Sequence, residues 1–301
     1  VSNLRVLVSS EPDDAVGREL LSQLSGVRVI AYDPNADELN NDQAAADVLI
    51  PPYRSSHRPI KLLGYLSNLR MVQLLSAGVD EWAPHVSEDV ILSSARGAHA
   101  GPVSEWILSA ILTQFRQWPA LVRFQDEHVW AHRRFHADTL AGKRVLIVGA
   151  GSIGMASAKR LEAFDATTTL VARRARDGIH AASELPELIP DHRVVVIAVP
   201  LTQETRGMVD ARFLASMDTG ALLVNAGRGQ VVDTDALVTE LRQNRLTAAL
   251  DVMNPEPLPP EHALWRCTNA IISPHSARTV PGTNVLCYKA AAHCIGVHLI
   301  V

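Results

Sequence analysis

Long apolar runs are missing from this chain, and no segment has the length of a membrane-crossing helix. Cysteine is scarce. The three present, Cys267, Cys287 and Cys294, form no metal-like cluster, and an odd number fits a reducing cytosol better than a disulfide framework. Charge of either sign is not in large excess. Against 32 Asp and Glu stand 28 Lys and Arg, a formal net charge of −4, so neither nucleic acid nor an anionic membrane is expected as a partner. The opening VSNLRVLVSS lacks the pattern of a signal peptide and reads as the start of a strand. Internal repeats and low-complexity segments are also wanting. What remains is an ordinary globular composition over 301 residues, a length that suggests two domains. The expected location is cytoplasmic.

The rest of the chain is organised around Lys143 to Gly154, KRVLIVGAGSIG. Val145 to Val148 is a short apolar run, rich in β-branched residues, that reads as a buried strand. It leads into Gly149-Ala150-Gly151-Ser152-Ile153-Gly154, and a helical pattern follows, MASAKRLEAF. Strand, glycine turn and helix form a dinucleotide-binding fingerprint. Gly149 allows the tight turn, Gly151 lets a pyrophosphate approach the backbone, and Gly154 lets helix and strand pack closely. The helix N-terminus, at Ser152 and Ile153, offers free N–H groups and a positive dipole end. A turn that needs its glycines only for packing would read similarly.

Before this stretch, Leu4 to Val8, VRVIAYD, DVLIPPY, RMVQLLSAG and Val90 to Ser93 read as strands, with helical patterns such as AVGRELLSQL between them. That alternation predicts a parallel α/β sheet. SEWILSAILTQF, residues 104–115, is apolar on several faces and reads as a long buried helix capped by Ser104. From Lys143 onward six strands are expected: KRVLIVG, TTTLVAR, RVVVIAV, ALLVNAG, LTAALDV and AIISPH. The chain turns helical again from about Asn284. The expected fold is α/β, with two Rossmann-like domains built on doubly wound parallel sheets.

Three residues follow strand ends in the second unit: Arg228 after ALLVNAG, Glu256 after ALDVMNP and His275 after AIISP. Ligands of an open parallel sheet bind beyond the carboxyl ends of its strands. Each residue type suits hydride transfer to a carbonyl. An arginine can hold a carboxylate bidentately and polarise a neighbouring carbonyl. A histidine can protonate the oxygen as the carbon is reduced. A carboxylate beside that histidine orients it and favours its charged form. Taken singly, Arg228 could be a surface residue, Glu256 a loop charge between prolines and His275 a helix cap.

With these residues in place, the chain resembles the D-isomer-specific 2-hydroxyacid dehydrogenases, in particular the glyoxylate/hydroxypyruvate reductase-like members. The matching stretches are GAGSIG at 149–154, VPLTQET at 199–205, LLVNAGRGQVVDTDAL at 222–237, DVMNPEPLP at 251–259 and SPHSA at 273–277. The resemblance covers nearly the whole chain. It implies a bilobal fold with the active-site cleft between the lobes. A flavodoxin-like substrate domain would comprise residues 1–97 and 279–301, and a dinucleotide-binding domain residues 98–278. It implies catalytic Arg228, Glu256 and His275, with Arg228 also binding substrate beside the backbone N–H groups of Ser76, Ala77 and Gly78. It implies Pro200, Thr205, Ala226, Asp251 and His275 as cofactor neighbours, Asp251 lying near the nicotinamide amide. The implied reaction is NAD(P)H-dependent reduction of a small 2-oxo acid to the D-2-hydroxy acid, by a homodimer and without a metal. The SEWILSAILTQF helix is a candidate for the dimer surface. A dinucleotide-sensing, corepressor-like interaction protein on the same scaffold is an alternative, as is a formate- or phosphite-type dehydrogenase.

Three departures from the family pattern bear on function. The acidic residue that usually ends the second strand of the nucleotide domain, where it holds the ribose 2′-hydroxyl of NAD, is replaced by Ala172, and Arg173 and Arg174 follow. NADP is therefore the expected preference, with NAD possible. Arg96 and His99 stand where family members differ and are candidates for substrate contact, although an ordinary hinge loop would read the same. Family chains commonly continue beyond the point reached at Ile300-Val301, so neither extended tails nor an appended regulatory domain is expected.

Overall fold

The computed structural model describes residues 3–54 and 59–300. Contacts divide the chain into two units, Val1–His99 with Val280–Val301, and Ala100–Thr279.

In the first unit, strands β1 (Leu4–Ser9), β2 (Val27–Tyr32), β3 (Val48–Ile50), β4 (Met71–Leu74) and β5 (Ile91–Ser94) form one parallel sheet of order β2-β1-β3-β4-β5. This is the order of flavodoxin-like doubly wound sheets. Alternate residues of β1 feed two cores: Val6 and Val8 pack with Tyr288 and Ile295, whereas Leu7 packs with Tyr32, Leu49 and Trp82. Both faces are thus covered, as a parallel sheet requires. β3 stops at Ile50 because Pro51 and Pro52 have no N–H to continue the ladder. Helices α1 (Ala15–Ser22) and α2 (Asn41–Ala44) connect the early strands.

The last helix, Thr283–Leu299, belongs to this unit and docks on α1. Gly17 makes room for it: a Cβ there would lie 2.1 Å from the Tyr288 ring. The Tyr288 hydroxyl donates to Asp14 Oδ1 at 2.8 Å, and the Tyr53 N–H donates to the same oxygen at 3.1 Å. Burial pushes the Asp14 carboxyl above its ordinary range, against the lowering effect of these donors, and pushes the Tyr288 phenol far up as well.

The second unit carries β6 (Arg144–Val148), β7 (Thr167–Ala172), β8 (His180–Ala181), β9 (Val194–Ile197), β10 (Leu222–Asn225), β11 (Thr247–Leu250) and β12 (Ala270–Ile272). All seven are parallel, in the order β12-β11-β10-β9-β6-β7-β8. The six expected strands are present. β8 is an addition of two residues, too short to show a hydrophobic period. The order reverses between β6 and β9, so the turn after β6 sits at a topological switch point.

Helices α3 (Ala100–Phe115), α4 (Trp118–Asp126), α5 (Ser152–Glu162), α6 (Leu185–Leu188), α7 (Ala211–Ser216) and α8 (Thr234–Arg242) complete this unit. α3 corrects the sequence reading at its start. It begins four residues before Ser104, with Pro102 in its first turn, where the absence of an N–H does no harm. Ser104 is therefore no cap: it is buried, and its hydroxyl lies 2.6 Å from the Ala100 carbonyl oxygen and 2.9 Å from that of Gly101. One apolar side of α3 is buried, as the sequence suggested. Val103, Ile107, Ile111 and Phe115 pack on Val145, Ile147, Val194 and Val224 of the sheet. Among the described residues no helix is long and apolar enough to cross a membrane.

Candidate functional site

The turn after β6 is shaped by its neighbours. Gly149 has φ 119°, and a Cβ there would stand 2.5 Å from the Ala198 carbonyl oxygen. A Cβ on Gly154 would stand 2.1 Å from the Gly149 oxygen. Gly151 differs: a Cβ would meet nothing within 4 Å. It opens on the N-terminus of α5, which no side chain caps. Open space before uncapped N–H groups at a positive dipole end fits a pyrophosphate. The Gly149 and Ala150 N–H groups both bind the Val171 oxygen, at 2.9 and 3.0 Å, and so clamp the turn onto β7. Ser152 and Ile153 form the first turn of α5.

β7 ends at Ala172, and Arg173 and Arg174 follow as exposed side chains. In the loop after β9, the Thr202 hydroxyl, the backbone and then the Arg173 charge hold the Glu204 carboxyl below its ordinary range. That loop closes on itself, because the Thr205 hydroxyl donates to the Pro200 oxygen at 2.7 Å. Arg176 was not singled out as a site residue by the sequence. A small hairpin, with Arg176 and Ile179 exchanging backbone hydrogen bonds at 3.0 and 2.8 Å, holds it. From there its Nη2 reaches the Ala150 oxygen at 2.8 Å. The only sequence signal for this contact was a third arginine near the strand end.

The ends of β10, β11 and β12 carry the remaining groups. Ala226 continues β10 through its N–H to the Ile197 oxygen at 3.0 Å. Arg228 is half-buried, and its Nη1 donates to the Gly227 oxygen at 3.0 Å. His275 Nδ1 lies 2.6 Å from Glu256 Oε1, with the two side chains 40% and 36% exposed. A carboxylate can only accept here, so the ring donates through Nδ1–H and Nε2 is left to face a reactant. His275 has φ 51°, a left-handed backbone that a non-glycine residue adopts only when its surroundings hold it there.

What holds it is Asp251, 3% exposed at the end of β11. Its Oδ1 accepts from the Ser273 hydroxyl at 2.6 Å, from the Ser276 N–H at 2.8 Å and from the Ala277 N–H at 3.0 Å. Its own carbonyl accepts from the His275 N–H at 2.8 Å. The carboxylate expected near a nicotinamide amide is thus bonded to the loop that carries the histidine.

In the first unit, Ser76, Ala77 and Gly78 follow β4, and the Ser76 hydroxyl donates to the Gly78 oxygen at 2.8 Å. Of the two further candidates, Arg96 is exposed and His99 is buried. It is 3% exposed, and its Nε2 lies 3.2 Å from Cys287 Sγ on the last helix. Packing of that helix has turned the imidazole into the core.

An imidazole oriented by a carboxylate can move a proton, and an arginine after a neighbouring strand can fix an anion. Beside a dinucleotide cradle, these are the parts of a nicotinamide-dependent dehydrogenase. Residues 108–277 match the family described as D-isomer specific 2-hydroxyacid dehydrogenase, NAD binding domain. A glyoxylate reductase from Thermofilum pendens is 31% identical over 244 residues, 76% of this chain and 72% of that protein. The glyoxylate reductase/hydroxypyruvate reductase of Homo sapiens is 30% identical over 284 residues, 87% of this chain and 84% of that protein. Among solved structures, a D-isomer specific 2-hydroxyacid dehydrogenase from Xanthobacter autotrophicus, in complex with NADPH and MES, superposes with a TM-score of 0.81 at 27% identity. That match covers 98% of this chain and 93% of the other. The chain belongs to the D-isomer-specific 2-hydroxyacid dehydrogenase family and is an NAD(P)-dependent oxidoreductase.

Proposed function

We propose that this enzyme reduces a small 2-oxo acid of the glyoxylate or hydroxypyruvate kind to the D-2-hydroxy acid, with NADPH preferred over NADH. The observation that carries the reading is the 2.6 Å bond between His275 and Glu256, with Arg228 on the neighbouring strand end. Arg228 binds the substrate carboxylate and polarises the adjacent carbonyl. His275 delivers the proton from Nε2 to the carbonyl oxygen, while Glu256 keeps the ring oriented through Nδ1. The bound nicotinamide supplies the hydride. Gly149, Gly151, Ser152, Ile153 and Gly154 hold the pyrophosphate, and the Pro200–Thr205 loop, Ala226 and Asp251 line the path toward the nicotinamide.

The preference for NADPH rests on the missing carboxylate at Ala172, which removes a repulsion, and on Arg173 and Arg174, which add an attraction. We place the protein in the cytosol, whose reducing conditions suit its odd number of cysteines. We further assign it a homodimer. The contact surface we propose includes α4 and the following loop. There Trp118, Val122 and Trp130 are 56%, 47% and 92% exposed. Trp130 also lines a groove of about 560 Å³ with Leu121, Phe124, Val129 and Phe135.

A panel of 2-oxo acids assayed with each reduced cofactor tests the reaction. Arg228→Ala should lower kcat/KM by roughly 10²–10³, the scale of one lost transition-state contact, with cofactor affinity nearly unchanged. Cofactor binding without turnover of any 2-oxo acid would overturn the assignment.

A further inference from the structure

Asn225 ends β10 with no exposed surface, directly after the apolar Leu222, Leu223 and Val224. A buried amide in such company is unfavourable unless its hydrogen bonds are made. Here they bind three separate backbone groups. Oδ1 accepts from the Gly227 N–H at 3.1 Å, and Nδ2 donates to the Arg228 oxygen at 3.1 Å and to the Val252 oxygen at 3.3 Å. Only this orientation of the amide satisfies one donor and two acceptors. The first two bonds close the turn that presents Arg228. The third ties that turn to the loop that leads to Glu256.

The neighbours leave Arg228 little freedom of its own. A Cβ on Gly227 would lie 2.7 Å from the Val199 oxygen, and one on Gly229 would lie 1.9 Å from the Met253 oxygen. The arginine is therefore held between two residues pressed against adjoining loops. The Asn225 carbonyl accepts from the Asp251 N–H at 3.0 Å, and Asp251 in turn fastens the His275 loop. The backbone of Arg228 and that of His275 are thus joined through two buried polar side chains on adjacent strand ends.

We propose that Asn225 is a positioning residue that sets the Arg228 guanidinium in register with the Glu256–His275 pair. It touches no reactant and acts through Arg228. The inference rests on the reading of Arg228 as the oxo-acid anchor. Misplacement by about 1 Å can cost about 10²-fold in rate, and Asn225→Asp should produce a displacement of that order. The isosteric carboxylate would aim an oxygen at the Arg228 and Val252 oxygens, where Nδ2 now donates.

The test is a double-mutant cycle between Asn225→Asp and Arg228→Ala, with glyoxylate as the probe. In the wild-type background, Asn225→Asp is expected to lower kcat/KM about 10²-fold and to leave NADPH dissociation within about twofold. In the Arg228→Ala background the same change should cost less than about twofold, because the group it positions is already gone. Equal losses in both backgrounds, or an unchanged kcat/KM in the first, would overturn the proposal and leave the anchor role of Arg228 standing. An Arg228→Ala enzyme with wild-type turnover would overturn the anchor role and, with it, this inference. Should Asn225→Asp fail to fold, Asn225→Ser serves in its place. It keeps an acceptor for Gly227 but cannot span to Val252, and its loss must likewise vanish when Arg228 is absent.

Discussion

Gly151 and Gly154 stand three residues apart in the same turn, and replacing each by alanine should have opposite consequences. At Gly154 the new methyl group would sit 2.1 Å from the Gly149 oxygen and 3.2 Å from Ile147 Cγ2. The first contact is more than an ångström short of an ordinary one, which starts at 3.4 Å, and it is made with backbone, which cannot rotate away. α5 must lift from β6, at the upper end of the overpacking range, about 3 kcal/mol. Alanine recovers about 1 kcal/mol through its better helix propensity, so the net loss is about 2 kcal/mol. In a unit of this size that lowers Tm by roughly 4–8 °C, and lifting the helix weakens cofactor binding as well. At Gly151 the methyl group enters open space, φ is −89° and suits any residue, and stability should hold or rise slightly. The methyl group would, however, stand where the pyrophosphate approaches. Losing one or two charge-assisted hydrogen bonds, each worth about 1.5–3 kcal/mol, should raise the NADPH dissociation constant at least about tenfold. Circular dichroism melts and fluorescence titration with NADPH read both quantities. A Gly154→Ala protein as stable as the wild type, or a Gly151→Ala protein that binds NADPH normally, would refute the reasoning.

Arg173→Ala combined with Arg174→Ala should raise the NADPH KM about tenfold or more, the scale of a lost charged contact, and barely change that of NADH. Equal losses with both cofactors would mean that these arginines do not read a 2′-phosphate. Arg176→Ala should instead weaken both cofactors alike, because its contact is with the Ala150 oxygen of the turn. His192 is buried, with Nδ1 2.6 Å from the Leu188 oxygen and Nε2 2.9 Å from the Thr169 hydroxyl. Burial lowers its pKa below the ordinary 6.5. Its depressed folded-state value means that the unfolded chain takes up the proton first. Stability is therefore complete above about pH 6.5 and declines as pH falls below it. Urea unfolding at pH 7.5 and 5.5 should show this loss in the wild type and a smaller one in His192→Gln. Trp130→Ser should shift light scattering at micromolar concentration from dimer toward monomer, and a wild-type protein that is only monomeric would end the dimer assignment.

Sequence alone settled what depends on neighbours along the chain. A run such as Val145 to Val148 can only bury both faces, and a glycine turn between strand and helix is local geometry, so the twofold α/β architecture and the cofactor cradle were legible. So was the order of Arg228, Glu256 and His275 at successive strand ends. Tertiary structure decided whatever depends on how strand ends are stacked. Glu256 and His275 are 19 residues apart and meet because β11 and β12 are neighbours in the sheet. Arg176 reaches Ala150 because β7 lies beside β6. Ser104 looked like a cap because its residue type is common there, but a proline that tolerates the first helical turn let α3 start earlier. His99 looked available because nothing in its own segment showed that Cys287, 188 residues later, would pack against it. Asn225 and Asp251 are single polar letters at the ends of apolar runs. Their significance lies in the direction of their hydrogen bonds toward loops 27 and 25 residues away, and a linear pattern carries no directions.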